Sequence, residues 1–358
     1  MTADAVGGVW SYALDLARGL SAAGTRVTLA VLGPAPDAAQ RAAAAALPDL
    51  TLEETGLPLD WLAVSRDEVL AAGEAVAALA ARRGADLVHL NSPALAAAGF
   101  GVPVLGVCHS CLATWWQAVR GGEMPEDFRW RTAILAEGYA AADALVAPSR
   151  AFSRATAAAY GLAPQVVHNG RRDGLRTDRA GAFAFTAGRL WDEGKDLATL
   201  DRAAARLSVP VLAAGPVRGP NGAEVALPHL QALGTLDEGA MRSWLARGPV
   251  FVSAARYEPF GLAVLEAAQA GCALVLSDIP TFRELWDGAA VFVPPGDADG
   301  FATAIAALVA DRERRAELRV AAGERARRYS LDAMTDGIRA IHAGLLARRA
   351  DRGGRFAA

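Results

Sequence analysis

Lysine is nearly missing from this chain. Lys195 is the only one, and arginine supplies the rest of the 36 basic residues. Arginine and lysine serve alike on a solvated surface and differ at particular sites, so a lone lysine asks for a site-specific reason, with chance as the alternative. Cysteine is scarce too. Cys108, Cys111 and Cys272 cannot build a disulfide framework, which fits a reducing compartment. The run from Cys108 to Cys111 reads CHSC, but a redox or metal role needs a thioredoxin-type helix start or a second ligand pair, and neither is evident. No apolar run reaches the ~18 to 20 residues that cross a bilayer, and the N-terminus shows neither the basic nor the apolar region of a signal peptide. The expected location is the cytoplasm, with peripheral membrane contact left open. Charge of one sign is also lacking. A net charge of −3 offers no dense basic face, which excludes nucleic acid as the main partner.

What is present is apolar material in quantity. The chain has 358 residues, 53% of them hydrophobic, and at ~100 to 200 residues per domain this predicts two domains. Short apolar runs alternate with helical patterns, as in parallel sheets covered by helices on both faces. Strands are expected at Arg26 to Leu32, Asp86 to Leu90, Val102 to Val107 and Ala144 to Ala147, with helices over Val9 to Ala23, Asp67 to Arg83 and Phe128 to Ala141. After a polar stretch from His168 to Gly181 the alternation restarts at Phe183 to Ala187, Val209 to Ala213, Val250 to Ser253, Ala273 to Ser277 and Val291 to Val293. The remainder, Asp297 to Arg349, reads as helices alone. The expected division is 1–170 and 171–331, with a closing helix at about 332–350 packing back on the first domain.

Three segments carry chemistry. RYEPFGLAVLEAAQAG, Arg256 to Gly271, follows an apolar strand, and its turn at Pro259 to Gly261 should open a helix whose free N–H groups attract an anion or sugar oxygens. Glu258 stands just before that helix and Glu266 inside it, in otherwise apolar company. Two carboxylates near a helix start suit a molecule with two diols and a phosphate between, and the alternative is that Glu266 meets an arginine. FTAGRLWDEGKDL, Phe185 to Leu197, repeats the strand, glycine and loop, and would bring Arg189 and Lys195 to a phosphate. An ion pair with Asp192 or Glu193 is the other reading. Gly7 and Gly8 open a helix in AVGGVWSYALDL, but they do not make a dinucleotide fingerprint.

Taken together, the glutamates separated by seven residues, the Arg189 and Lys195 spacing, the N-terminal glycine pair and VVHNG at Val166 to Gly170 resemble the family 4 retaining glycosyltransferases. The resemblance implies an α/β GT-B fold, two Rossmann-like domains with parallel sheets facing a central cleft. It implies that Glu258 holds donor-sugar hydroxyls, Glu266 the ribose diol, Arg189 and Lys195 the diphosphate, and the amides of Phe260, Gly261 and Leu262 the sugar and phosphates. Gly8 would let the first domain close over the donor, and Leu236 looks like a base contact. His109 would sit near the sugar, so the catalytic candidates are Glu258, His109, Arg189 and Lys195. HSCLATWW, His109 to Trp116, is similar to a bacterial subgroup, and Trp115, Trp116 and Trp130 lie where acceptors enter in such proteins. For each tryptophan core packing is the alternative.

Two departures stand out. The family places its lysine directly before a glycine, whereas Gly194 precedes Lys195 here. Asp297-Ala298-Asp299 has the form of an Asp-x-Asp metal motif, yet it precedes a helix start where acidic residues cap. The expectation is metal-independent transfer of a hexosyl unit, without a cofactor, from a nucleotide-diphosphate sugar to a sugar, lipid-linked or small-molecule acceptor. The alternatives are a phosphorylase or sugar-nucleotide epimerase on the same fold, or a non-catalytic nucleotide-sugar-binding protein.

Overall fold

The computed structural model describes residues 1–172, 174 and 176–356. Positions 173 and 175, within the linker expected at 168–181, lie outside them. The chain forms two compact units. One comprises Met1–Gln117, Gly121–Gly170 and the chain from Leu331 on, and the other Arg171–Ser330 with Ala118–Arg120.

The strands of the first unit are β1 (Thr2–Asp4), β2 (Val27–Leu32), β3 (Leu50–Glu54), β4 (Val88–Leu90), β5 (Val104–Val107), β6 (Ala144–Ala147) and β7 (Gln165–Val166). Its helices are α1 (Gly8–Ala22), α2 (Ala38–Ala45), α3 (Arg66–Arg82), α4 (Leu112–Val119), α5 (Glu126–Ala141) and α6 (Arg150–Tyr160). The second unit holds β8 (Ala184–Ala187), β9 (Val211–Ala214), β10 (Gln231–Gly234), β11 (Val250–Ser253), β12 (Ala273–Ser277) and β13 (Val291–Val293). Its helices are α7 (Leu197–Ala204), α8 (Glu238–Leu245), α9 (Leu262–Gln269), α10 (Pro280–Trp286), α11 (Ala298–Ala310) and α12 (Arg312–Ala326), and α13 (Leu331–Phe356) closes the chain.

Every strand pair is parallel. In the first unit β1, β2 and β3 form one ladder and β4 to β7 another. They meet at a seam between β1 and β4, where the Asn91 side chain donates to the carbonyl of Thr2 at 2.7 Å and the Asn91 N–H donates to Thr2 Oγ1 at 2.9 Å. Helix α13 belongs to this unit because Met334, Ile338 and Leu345 are buried with Leu14, Leu16 and Leu20 of α1.

The second unit has the strand order β10-β9-β8-β11-β12-β13. Side chains alternate across a strand, so successive residues serve opposite faces. Phe251, Leu274 and Leu276 enter one core with Phe282 and Trp286, while Val250, Val252 and Val275 enter the other with Leu200, Phe301 and Ile305. Both faces are therefore dry, which is why the central strands read as unbroken apolar runs. Each large side chain so buried adds about 1.5–3 kcal/mol of hydrophobic stabilisation.

Most expected strands are found within two residues of their expected ends. Four others are outside the expected runs: β1, only three residues long, and the more open β3, β7 and β10. The faces of the last three are partly open, Gln231, Ala232 and Gly234 of β10 being exposed, so no full apolar run marks them. The closing region is helical throughout, as α11, α12 and α13 with one short turn between the last two.

Candidate active site

Strand order fixes where a ligand can sit. In the second unit the chain leaves β8 towards β9 on one side, while β11 lies on the other, so the carboxyl ends of β8 and β11 flank the point where the winding reverses. Open parallel sheets bind ligands there. The loops that emerge are Gly188–Asp196 and Ala254–Gly261, the two segments singled out by the sequence.

These loops are tied together. The amides of Arg256 and Tyr257 donate to the carbonyl of Gly194 at 2.9 and 3.1 Å, and Arg256 Nε donates to Asp196 Oδ2 at 2.8 Å. Asp196 has φ 49°, unusual for a residue with a side chain; it caps α7 by accepting from the amide of Thr199 at 3.3 Å, and it also accepts from Thr199 Oγ1 at 2.8 Å. Gly215 approaches so closely that a Cβ there would stand 1.8 Å from the carbonyl oxygen of Gly188.

On this frame Lys195 Nζ donates to Glu258 Oε2 at 2.5 Å, both side chains being mostly buried. They line one cavity with Thr186, Gly188, Ser253 and Gly261. Arg189 pairs with Asp192 at 2.8 Å and lies 5.6 Å from the ring of Trp191. Gly261 sits at φ 93° directly before α9 and, as a glycine, brings no side chain to cap that helix, and Gly261, Ala263 and Val264 of the helix start line the same cavity. Phe260 turns its ring into the core, edge-on to Tyr329 at 5.6 Å, leaving Gly261 and Leu262 as backbone at the helix start. Glu266, one turn into α9, pairs with Arg171 at 2.7 Å. Leu236 follows β10 and packs partly against the core.

The first unit holds the remaining candidates. His109 follows β5, and its Nε2 lies 2.8 Å from Asn91 Oδ1. Tyr12 of α1 meets the His109 ring edge-on at 4.6 Å. Behind them, His89 Nδ1 lies 3.3 Å from His342 Nε2 of α13. Burial pushes His109 down to about 3 and His342 down to about 4, and it holds His89 well below the usual range as well. Gly8 is the first residue of α1, after Gly7 in extended backbone at φ −166°. Trp115 and Trp116 sit on α4, half-buried, with Trp116 edge-on to Phe128 at 5.6 Å. Trp130 on α5 packs partly against the core, with the Arg131 guanidinium 4.4 Å from its ring. Sequence reasoning passed over Asn91, Arg256 and Asp196, whose roles depend on contacts across the fold. It also passed over Asp60, which burial and then the charge of Asp4 push up to about 6.

The metal-like motif resolves into capping. Asp297 accepts from the amide of Gly300 at 2.8 Å at the start of α11, and Asp299 pairs with Arg206 at 2.6 Å. Among the described residues no group of three or more His, Cys, Asp or Glu is gathered as for a metal ion. Cys108 and Cys111 are buried, and neither is in a disulfide. No helix among the described residues is long and apolar enough to cross a membrane.

Two Rossmann-like units of parallel sheet, the second carrying a lysine–glutamate pair beside a helix start that opens on a glycine, define the class, and comparison with known proteins agrees. Residues 6–172 match the model for glycosyltransferase family 4, and residues 181–311 the model for glycosyl transferases group 1. Sucrose-phosphate synthase from Thermosynechococcus elongatus superposes with a TM-score of 0.78 over 97% of this chain and 99% of its own, at 18% identity. The Anabaena protein HepE, solved in complex with UDP-glucose, does so with a TM-score of 0.75 over 96% of this chain and 99% of its own, also at 18% identity. A phosphatidyl-myo-inositol mannosyltransferase of Mycolicibacterium smegmatis is 38% identical over 104 residues, a stretch spanning 28% of this chain and 27% of that protein. The chain is a GT-B-fold protein of glycosyltransferase type, related to the family 4 and group 1 glycosyltransferases.

Proposed function

We propose that this protein is a retaining glycosyltransferase that moves a hexosyl unit from a nucleotide-diphosphate sugar to a sugar, lipid-linked or small-molecule acceptor. The second unit, from Arg171, binds the donor, and the first unit binds the acceptor. The observation that carries this reading is the meeting of Lys195 and Glu258 at 2.5 Å beside the start of α9, which opens on a glycine. A cation and a helix N-terminus suit a diphosphate, and a carboxylate next to them suits the hydroxyls of the sugar it carries.

In this reading the diphosphate leaves as the new bond forms on the same face of the sugar, and it accepts the proton of the attacking hydroxyl. Lys195, Arg189 and the amides of Gly261 and Leu262 stabilise its growing negative charge, which leaves no need for a metal ion. Glu258 faces the positive charge developing on the ring and fixes the sugar hydroxyls. Glu266 accepts from the ribose diol, and Leu236 packs on the base. Gly8 and His109 serve the sugar from the first unit, and Trp115, Trp116 and Trp130 offer faces to the acceptor. The similar proteins, a sucrose-phosphate synthase, a mannosyltransferase and a protein solved in complex with UDP-glucose, support a sugar nucleotide as donor. The test is a thermal-shift screen of UDP-, GDP- and ADP-sugars followed by a transfer assay. A ligand at 100 times its Kd adds ~2.7 kcal/mol of stability, and a screen in which no nucleotide sugar raises the Tm would overturn the reading.

A further inference from the structure

The polar groups around His109 leave one consistent placement of its proton. Thr2 O is a backbone carbonyl and can only accept, so the Asn91 nitrogen that faces it at 2.7 Å must be the amide NH2. The other Asn91 atom, Oδ1, is then an acceptor, and it faces His109 Nε2 at 2.8 Å. An acceptor there calls for a hydrogen on Nε2. Rotating the Asn91 amide by half a turn would set Oδ1 against Thr2 O, two acceptors face to face, so the amide is locked by the seam between β1 and β4. Asn91 is only 8% exposed, which leaves it little water to use instead. Burial keeps the His109 ring from taking a second proton near neutral pH. His109 Nδ1 has no hydrogen-bond partner among the described residues, and the ring is half-buried, as is that of His342, whereas His89 is buried.

We infer that Asn91 is the positioning residue for His109: it holds the imidazole as the Nε2–H tautomer and presents the Nδ1 lone pair as an acceptor for a sugar hydroxyl. This deepens the glycosyltransferase reading and rests on it for the identity of the ligand. The chemistry is selective. A lone pair on a neutral ring binds a hydroxyl and repels an anionic phosphate or carboxylate oxygen, so His109 suits carbohydrate and not a diphosphate.

Nitrogen-15 NMR of the histidine-labelled full chain reads the tautomer directly. The expected result is His109 as a single Nε2–H tautomer near neutral pH, with Nδ1 shifting on addition of a nucleotide sugar and not on addition of the nucleoside diphosphate alone. His109 found as the Nδ1–H form, or shifting equally with both ligands, overturns the inference. Asn91→Ala should release the tautomer into a mixture and lower kcat about tenfold or more, with the donor KM little changed, as expected when a catalytic contact is misoriented. Unchanged kcat in a folded Asn91→Ala protein would overturn the positioning role. If that variant does not fold, the wild-type tautomer still decides. If no nucleotide sugar is turned over, the glycosyltransferase reading fails and the tautomer result stands by itself.

Discussion

Lys195 and Glu258, 63 residues apart in sequence, share a hydrogen bond of 2.5 Å. Their loops are held by the carbonyl of Gly194, which accepts from the amides of both Arg256 and Tyr257, so the pair is a product of backbone geometry as well as charge. An arriving diphosphate would compete with Glu258 for Lys195 and release the carboxylate to the sugar. Lys195→Ala should therefore weaken nucleoside-diphosphate binding by about 10- to 100-fold, the scale of a hydrogen bond to a charged group, and leave nucleoside binding nearly unchanged. Calorimetry with both ligands checks this, and equal losses for the two would point to a folding defect instead.

Glu266 is held by Arg171 at 2.7 Å, on a helix whose other contacts are largely apolar. If it serves the ribose diol, Glu266→Ala reduces affinity for every nucleotide donor, with or without the sugar attached. An unchanged Kd for the cognate nucleoside diphosphate would remove that assignment and leave Glu266 its ion pair with Arg171.

The histidines of the first unit give stability a pH dependence whose sign follows from their burial. An unfolded histidine titrates near 6.5, whereas His109 and His342 are lowered to about 3 and about 4, and His89 is lowered too. Below about pH 6.5 the unfolded chain binds protons that the folded chain refuses. Stability is then full above about 6.5 and declines as pH falls towards the folded values. Melting curves from about pH 7 to about pH 4.5 should show a falling Tm, and His342→Phe should make the fall shallower. A Tm insensitive to pH over that range would contradict the burial of these rings.

How much of this was legible in the sequence depended on whether the signal was local. The central strands were readable because burial on both faces leaves an apolar run such as Val250 to Ser253, bounded by turn residues. Strand β10 was not, because only one of its residues, Leu233, escapes full exposure to solvent. Lys195 stood out as the only lysine, and Glu258 by its place before a helix. That they would touch was not written locally, nor was the choice of Arg171 as the partner of Glu266, since both follow from how parallel crossovers bring loops to one edge. Asn91 carried no signal at all. It is an ordinary polar residue after a strand, and its meaning arises only where β1 is laid against β4.

The cysteines should prove inert. Burial pushes the thiols of Cys108 and Cys272 up to about 12, and Cys111 is buried with its Sγ 3.0 Å from Thr114 Oγ1. Thiolate is the reactive form, so a thiol reagent at about pH 8 should label none of the three in the native protein and all of them after denaturation. Fast labelling of the native CHSC segment would revive a redox role for it.

The most direct test of the central claim is NMR of the product formed from an α-linked nucleotide sugar in the presence of EDTA, with kinetics for Glu258→Gln alongside. Gln keeps the hydrogen-bonding shape of Glu258 and removes the charge proposed to stabilise the reacting ring, so on this proposal the loss belongs to turnover and not to donor affinity. The account predicts an α-linked product without added metal, and a Glu258→Gln enzyme whose kcat falls far more than its donor binding. A β-linked product, or activity lost in EDTA and restored by Mg²⁺ or Mn²⁺, would contradict it.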